Sequence, residues 1–124
     1  MDSGIDYGME RCDTETALSI LQHPTVVRPL GLYATEMQDH FEYWLLDKKI
    51  LVVALPDNDD IEVHIACKRK DRAGARASLK KGLGFFKGRG FKKIWTSAPN
   101  ERNALTNMLK SLGFASIDDK WVYE

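Results

Sequence analysis

The chain has 124 residues, which suits one domain with a single hydrophobic core and is too short for two. Hydrophobic residues make up 44% and charged residues 29%, a composition that excludes an intrinsically disordered protein. No apolar run approaches the ~20 residues of a membrane-spanning helix, and Met1–Gly4 lacks the features of a signal peptide. We therefore expect one domain over residues 1–124, located in the cytoplasm without membrane contact.

The formal net charge of zero conceals a strong asymmetry along the chain. The segment Lys68–Lys93 contains eleven basic residues and one acid, Asp71, so the compensating acidic residues lie elsewhere. A charge block of this kind creates a local positive field even on a neutral molecule. The segment is expected to face a phosphate-bearing ligand or a nucleic acid, unless it is only a solubilising helix face.

In the N-terminal half, hydrophobic periodicity and turn residues predict short elements. Asp13 or Thr14 is placed to cap a first helix, which Pro24 would end. Phe41–Leu46 suits either the end of a second helix or a strand. The other predicted segments are a strand at Ile5–Arg11, an irregular stretch at Val26–Tyr33, a helix start at the capping box Thr35–Gln38, a strand at Ile50–Leu55 and a turn at Pro56–Asp60.

A strand, a tight turn and a helix follow in the centre of the chain. The strand Ile61–Cys67 places Glu62 and His64 together on one face, because side chains alternate along a strand. The small-residue turn, Arg72–Ala77, then leads into a helix that Gly88 or Gly90 would end. The glycines inside this helix, Gly82 and Gly84, are expected to allow close packing against the sheet.

A second strand and helix complete the pattern before a terminal hairpin. Phe91–Ser97 reads as a strand, and Asn103 is placed to cap a helix with apolar residues at helical spacing. Gly113 suits the position after that helix, with Phe114 as its apolar partner. The predicted hairpin pairs Phe114–Ile117 with Trp121–Tyr123, and the three tryptophans, Trp44, Trp95 and Trp121, are expected to pack in the core or at sheet edges.

The small-residue turn suggests an anion site. A chain that turns tightly into a helix leaves N–H groups unpaired there, and small residues let a phosphate approach them. The turn and the following strand, helix and Leu112-Gly113-Phe114 resemble the Gcn5-related N-acetyltransferase superfamily. The resemblance implies an α+β fold with a central mixed, mostly antiparallel twisted sheet flanked by helices, and acetyl-coenzyme A as cosubstrate. The cofactor-binding residues that it implies are Cys67, Arg72, Ala73, Gly74, Ala75, Arg76, Ala77 and Asn103.

The chain departs from the superfamily pattern at two positions. Ala75 occupies the first small position of the turn, where the superfamily has glycine. Leu109 occupies the position of a tyrosine that often protonates the leaving thiolate in the superfamily, and leucine cannot donate a proton. Acetyl transfer by this chain would therefore have to proceed without that acid.

Glu62 and His64 are the candidate catalytic bases. Acetyl transfer needs a group that takes a proton from the attacking amine, and an ordinary histidine titrates near neutrality. A packed structural histidine is the alternative. Acidic residues of the predicted turn, Asp57, Asp59 and Asp60, would attract a cationic amine or would simply be solvated. Cys12 and Cys67 are too few and too far apart to suggest a zinc site, so no metal is expected.

Three functions are compatible with the sequence. The first is transfer of an acetyl group from acetyl-coenzyme A to an amine of a small molecule or protein. The second is a catalytically inactive relative with a structural role, such as a head-assembly or internal virion protein of a tailed bacteriophage. The third is nucleic-acid binding through Lys68–Lys93, which the scarcity of interleaved aromatic residues disfavours. The terminal hairpin offers an edge through which a homodimer could pair.

Overall fold

The computed structural model describes residues 7–24, 41–97, 103–118 and 120–124. Predictions for Val26–Tyr33 and for the capping box Thr35–Gln38 lie outside the described residues. The elements are β1 (Met9–Arg11), α1 (Thr14–Leu21), β2 (Glu42–Leu46), β3 (Ile50–Asp57), β4 (Asp60–Cys67), a 3-10 turn (Arg69–Asp71), α2 (Ala75–Gly88), β5 (Lys93–Thr96), α3 (Asn103–Leu112), β6 (Ala115–Ile117) and β7 (Lys120–Tyr123).

All seven strands belong to one sheet in the order β1-β2-β3-β4-β5-β7-β6. Every neighbouring pair is antiparallel except β4 and β5, which are parallel. This parallel pair arises because α2 carries the chain from the end of β4 back to the start of β5. The expected mixed, mostly antiparallel sheet with flanking helices is confirmed.

Several predicted boundaries need correction. The segment Phe41–Leu46, for which the sequence left helix or strand open, forms the strand β2 from Glu42 to Leu46. Its buried residues Tyr43 and Leu46 lie on opposite faces of the sheet, as strand geometry requires. Of the predicted turn Pro56–Asp60 only Asn58 and Asp59 turn, because Pro56 and Asp57 extend β3 and pair with β4. Three predicted strands are longer than the observed ones: within the described residues β1 covers only Met9–Arg11, β5 only Lys93–Thr96 and β6 only Ala115–Ile117. The last strand, β7, begins one residue earlier than predicted, at Lys120.

The helix caps explain where the helices begin and end. Asp13 caps α1, because its Oδ1 accepts a hydrogen bond from the Thr16 backbone N–H at 2.7 Å. That bond also holds the pKa of Asp13 below its ordinary value. Gly113, at φ +103°, follows α3 in the left-handed region, and the Phe114 N–H donates to Leu109 O at 3.0 Å. Asn103, expected as a cap, is instead the first residue of α3.

Two hydrophobic clusters lie on opposite faces of the sheet. The first holds the residues that α2 and α3 cover, including Leu46, Ile61, Ile94 and Trp121. The second cluster lies under α1 and includes Ala17, Leu21, Tyr43, Leu51, Val53 and Ala66. The predicted alternation of β4 is confirmed, because Ile61 faces the first cluster and Ala66 the second. Glu62 and His64 therefore lie on the α1 face.

The prediction that α2 glycines permit close packing is confirmed at Gly82. A Cβ placed on Gly82 would lie 3.3 Å from Leu46 Cδ2, closer than an ordinary van der Waals contact. Gly84 has a similar contact, 3.1 Å from the Tyr7 ring, which precedes β1. These glycines lower helix propensity by about 1 kcal/mol each relative to alanine, and the close approach of α2 offsets that cost.

A pH-dependent ion pair fastens β2 to the end of α2. The guanidinium of Arg89 donates to both carboxylate oxygens of Glu42, at 2.8 and 3.1 Å, and the Trp44 indole N–H donates at 2.9 Å. The hydrogen bond from Arg89 holds the pKa of Glu42 below its ordinary value, although burial opposes it. Since the folded pKa is the lower one, the carboxylate's contribution is present above the unfolded pKa of ~4.3 and is lost as pH falls through the folded value.

We expect Glu42→Gln to lower the free energy of unfolding by about 1 kcal/mol near pH 7, because the bidentate bond to Arg89 is lost. The difference between wild type and variant should shrink as the pH falls through the lowered folded pKa of Glu42, because the wild-type carboxylate is then protonated. Urea unfolding at about pH 7 and over a series of acidic pH values measures it, with exposed Glu10→Gln as the control. A difference that stays constant with pH would contradict this role for the ion pair.

Candidate functional site

The parallel strands β4 and β5 separate soon after they begin. They pair only at Asp60–Lys93, Ile61–Ile94 and Glu62–Trp95. Beyond that point Val63–Cys67 has no strand partner on the β5 side among the described residues, although it pairs with β3 throughout. This opening, called the fork here, is about 13 Å long from the rise of a strand. Its rim on β4 carries backbone groups available to an extended ligand.

The small-residue turn lies at the open end of the fork, after β4 and the 3-10 turn Arg69–Asp71. Gly74 precedes α2 with φ +78°, a conformation that glycine adopts without steric cost. Within the part of the chain that the structure describes, the N–H groups of Ala73, Gly74, Arg76 and Ala77 have no acceptor. These donors and the positive end of the α2 dipole favour an anion. The glycine that the conformation requires is Gly74, so alanine at position 75 leaves the turn intact.

Lys49 approaches this turn from the β2–β3 hairpin. Its Nζ donates to Ala73 O at 3.3 Å and lies 3.9 Å from the position of a Cβ on Gly74. The hairpin is fastened to α2 because Asp47 Oδ1 accepts a hydrogen bond from Lys81 Nζ at 2.7 Å. That hydrogen bond, together with one from Ser78, holds the pKa of Asp47 below its ordinary value. Lys49 thus adds an ammonium group beside the free N–H donors.

The two arginines of the turn differ in their surroundings. Arg76 Nε and Nη2 donate to Ser111 Oγ and Ser111 O, each at 2.9 Å, so its guanidinium binds the end of α3. Arg72 closes the 3-10 turn immediately before the N–H donors of the small-residue turn, so its backbone adjoins them directly. Nothing in the sequence distinguishes Arg72 from Arg76 as a ligand-binding residue.

Four of the eleven basic residues in Lys68–Lys93 form ion pairs with other elements. Lys81, Arg89, Lys92 and Lys93 form ion pairs with Asp47, Glu42, Asp59 and Glu124 respectively. A continuous surface for nucleic acid would need these groups free to meet phosphates. The positive potential is therefore concentrated nearer the small-residue turn and Lys49.

The two candidate bases form a hydrogen-bonded pair on the α1 face of β4. His64 Nε2 and Glu62 Oε2 are 2.6 Å apart. An ionised carboxylate can only accept, so His64 Nε2 carries the hydrogen. His64 is 7% exposed and Glu62 19%, so Glu62 is the member that a ligand can reach. Glu62 also belongs to the last residue pair before the fork opens.

The remaining predicted site residues divide into those near the fork and those in the core. Cys67 ends β4, and burial, reinforced by Asp71, raises the pKa of its thiol. Leu109 is 6% exposed within the first cluster, so it contributes packing and no proton. Asn103 begins α3, and its side chain lies outside what the structure describes. Asp59 pairs with Lys92 at the closed end of the β4–β5 pair.

Two further features, a metal-binding cluster and a membrane-spanning helix, were sought among the described residues. They contain no group of three or more His, Cys, Asp or Glu side chains that could hold a metal ion. No helix among residues 7–24, 41–97, 103–118 and 120–124 is long and apolar enough to cross a membrane.

Comparison with solved structures identifies the fold. The chain matches the ribosomal-protein-S18-alanine N-acetyltransferase of Escherichia coli with TM-score 0.69 at 15% identity, over 92% of this chain and 89% of that one. It matches a chimera of the spermidine N-acetyltransferase SpeG from Vibrio cholerae with hSSAT, with TM-score 0.71 at 10% identity, over 93% of both chains.

A third match has a ligand in its structure. The E. coli N-acetyltransferase homologue YhhK, bound to coenzyme A, matches with TM-score 0.65 at 12% identity, over 93% of this chain and 95% of that one. No protein-family model matches the sequence, and a search of curated proteins finds no similar sequence. The chain therefore has the fold of the Gcn5-related N-acetyltransferases, as the resemblance implied.

Proposed function

We propose that the protein is an acetyl-coenzyme A-dependent N-acetyltransferase that acts on an amine of a small molecule or protein. The observation that carries the proposal is the fork, with unpaired N–H donors at its open end and the Glu62–His64 pair at its inner end. An anion-binding turn and a proton acceptor at the two ends of one opening are what acyl transfer from a phosphorylated carrier requires.

The residues at the turn fit the phosphates of coenzyme A. The N–H groups of Gly74, Arg76 and Ala77 would bind the pyrophosphate, and Lys49 and Arg72 would supply positive charge. The β4 segment Val63–Cys67 would bind the extended pantetheine arm through backbone groups that have no strand partner on the β5 side among the described residues. Bound acetyl-coenzyme A supplies the activated thioester, and the protein's contribution is orientation and proton transfer.

Glu62 would take the proton from the acceptor amine, because it is the more exposed member of the pair. His64 would hold the Glu62 carboxylate in place through the 2.6 Å hydrogen bond. Since Leu109 carries no proton, the leaving sulfur would receive its proton from the amine itself or from water. Positioning and one general base would account for the rate.

Calorimetric titration with acetyl-coenzyme A tests the proposal. We expect micromolar binding by the wild type, and a loss of at least about tenfold in the double variant Lys49→Met/Arg72→Met, because two charge-assisted contacts are removed. Lys48→Met, an exposed residue of the same hairpin, serves as the control and should bind like the wild type. No binding by the wild type at millimolar ligand would contradict the proposed function.

The alternative functions have weaker support. The comparisons give no support to a structural role in a bacteriophage, since the matched proteins described above carry acetyltransferase names. Nucleic-acid binding is disfavoured by the ion pairs that occupy Lys81, Arg89, Lys92 and Lys93.

A further inference from the structure

A tryptophan occupies the strand position next to Glu62. Trp95 is the β5 partner of Glu62 in the last parallel pair before the fork opens. Ile94 and Ile61 both face the first cluster, so Trp95 and Glu62 both project from the α1 face. Neighbouring strands are about 4.8 Å apart, so the two side chains leave the same sheet face from adjacent positions.

The ring of Trp95 already binds an ammonium group. Lys120 Nζ lies 4.2 Å from the Trp95 ring centroid, within the range of a cation–π interaction. Lys120 is an exposed residue at the start of β7, whereas Trp95 is only half-buried. The ring face is therefore accessible to a cation from solvent, and an exposed, flexible lysine can leave it at little cost.

The described helices leave this part of the sheet uncovered. The cluster under α1 draws its strand residues from β2, β3 and β4, and within the described chain it includes none from β5, β6 or β7. Trp44 and Trp121, by contrast, pack with the first cluster, one of the two placements, core or sheet edge, that the sequence predicted. Trp95 is the exception, because its ring stands at the rim of the fork with a cation on it.

We propose that the acceptor is a primary alkylammonium ion, which binds over the Trp95 ring in the place of Lys120 with its charge directed at Glu62. The assignment rests on the proposed function and specifies its second substrate. The ring quadrupole and the carboxylate both favour a cation, and neither favours a neutral amine. The alkyl chain of the acceptor would lie along the apolar surface that Val122 adds beside Trp95.

The reaction at this site balances as follows. The ammonium group gives one proton to the Glu62 carboxylate and becomes a neutral amine. The amine nitrogen then attacks the thioester carbonyl carbon, so that a C–N bond forms and the C–S bond breaks. The second amine proton passes to the sulfur, and the products are the N-alkylacetamide, the free thiol and one proton returned from Glu62 to solvent.

Two amines of matched size test the assignment. Cyclohexylamine is a cation near neutral pH and aniline is neutral, so initial rates with acetyl-coenzyme A separate charge from shape. We expect acetylation of cyclohexylamine with the higher kcat/KM. Lys120→Gln should lower the KM for cyclohexylamine about threefold by removing the competing ammonium, and Trp95→Leu should raise it about tenfold.

A matched control lies on the other face of the sheet. Lys110 Nζ lies 5.9 Å from the Trp121 ring centroid, so Lys110→Gln removes a comparable cation. This variant should leave the KM for cyclohexylamine and the KM for aniline unchanged. Calorimetry with acetyl-coenzyme A verifies that each variant is folded. Normal acetyl-coenzyme A binding without acetylation of cyclohexylamine, or with equal preference for the two amines, overturns the acceptor assignment alone. Absence of acetyl-coenzyme A binding by the wild type overturns the proposed function and the assignment with it.

Discussion

Replacing Glu62 with glutamine is expected to lower kcat by about 10²–10⁴-fold while acetyl-coenzyme A binds with wild-type affinity. Glutamine keeps the size of the side chain and removes its basicity, so the loss reports proton transfer. Glu62 lies at the inner end of the fork, whereas the anion-binding donors lie at the open end around Gly74. A change at one end should therefore leave binding at the other end intact.

The partner of Glu62 gives a second, graded test. His64→Leu removes the donor that holds the Glu62 carboxylate, and we expect kcat to fall about tenfold. His64→Gln retains an N–H donor and should recover most of that loss, which a purely space-filling histidine would not require. Steady-state rates with a primary alkylamine measure all three variants. Wild-type kcat in Glu62→Gln would show that the proton leaves by another route.

Ile94→Ala is expected to lower the free energy of unfolding by about 2–5 kcal/mol, the largest effect on stability that we predict. Ile94 is 0% exposed, pairs with Ile61 in β4 and with Tyr123 in β7, and belongs to the first cluster. Alanine would leave a cavity where β5 joins the two halves of the sheet. The same joint forms the closed end of the fork, so we also expect weaker acetyl-coenzyme A binding.

An isoleucine on the edge strand of the same sheet provides the control. Ile117 in β6 is 52% exposed, and Ile117→Ala should change the free energy of unfolding by no more than about 0.5 kcal/mol. Urea unfolding monitored by tryptophan fluorescence measures both variants. Equal effects at the two positions would contradict the placement of Ile94 in the core.

The sequence predicts the elements well where one local signal dominates. Asp13 is a correct cap because a carboxylate before a helix finds an unpaired N–H, and Gly113 is a correct stop because its φ of +103° favours glycine. The length of β3 was underestimated. Pro56 is typical of turns, yet here it pairs with Ile61 in β4. The turn consists of Asn58 and Asp59 only.

The candidate site is less predictable because it depends on contacts between distant segments. That Glu62 and His64 share a strand face follows from alternation alone, whereas their 2.6 Å hydrogen bond was not predicted. Lys49 was missed, because nothing near residue 49 indicates that its hairpin lies against the small-residue turn. Arg72 and Arg76 were equivalent in the sequence, because the hydrogen bonds from Arg76 to Ser111 join segments 35 residues apart. The fork itself depends on how far β5 pairs with β4, which no local pattern encodes.

Amide NMR spectra recorded during titration with coenzyme A test the central claim most directly, namely that the fork and the small-residue turn form one cofactor site. We predict the largest shifts at Gly74, Arg76 and Ala77 and along Val63–Cys67, with small shifts at the edge strand β6. Shifts concentrated on another surface, or no shifts at millimolar coenzyme A, would contradict the account.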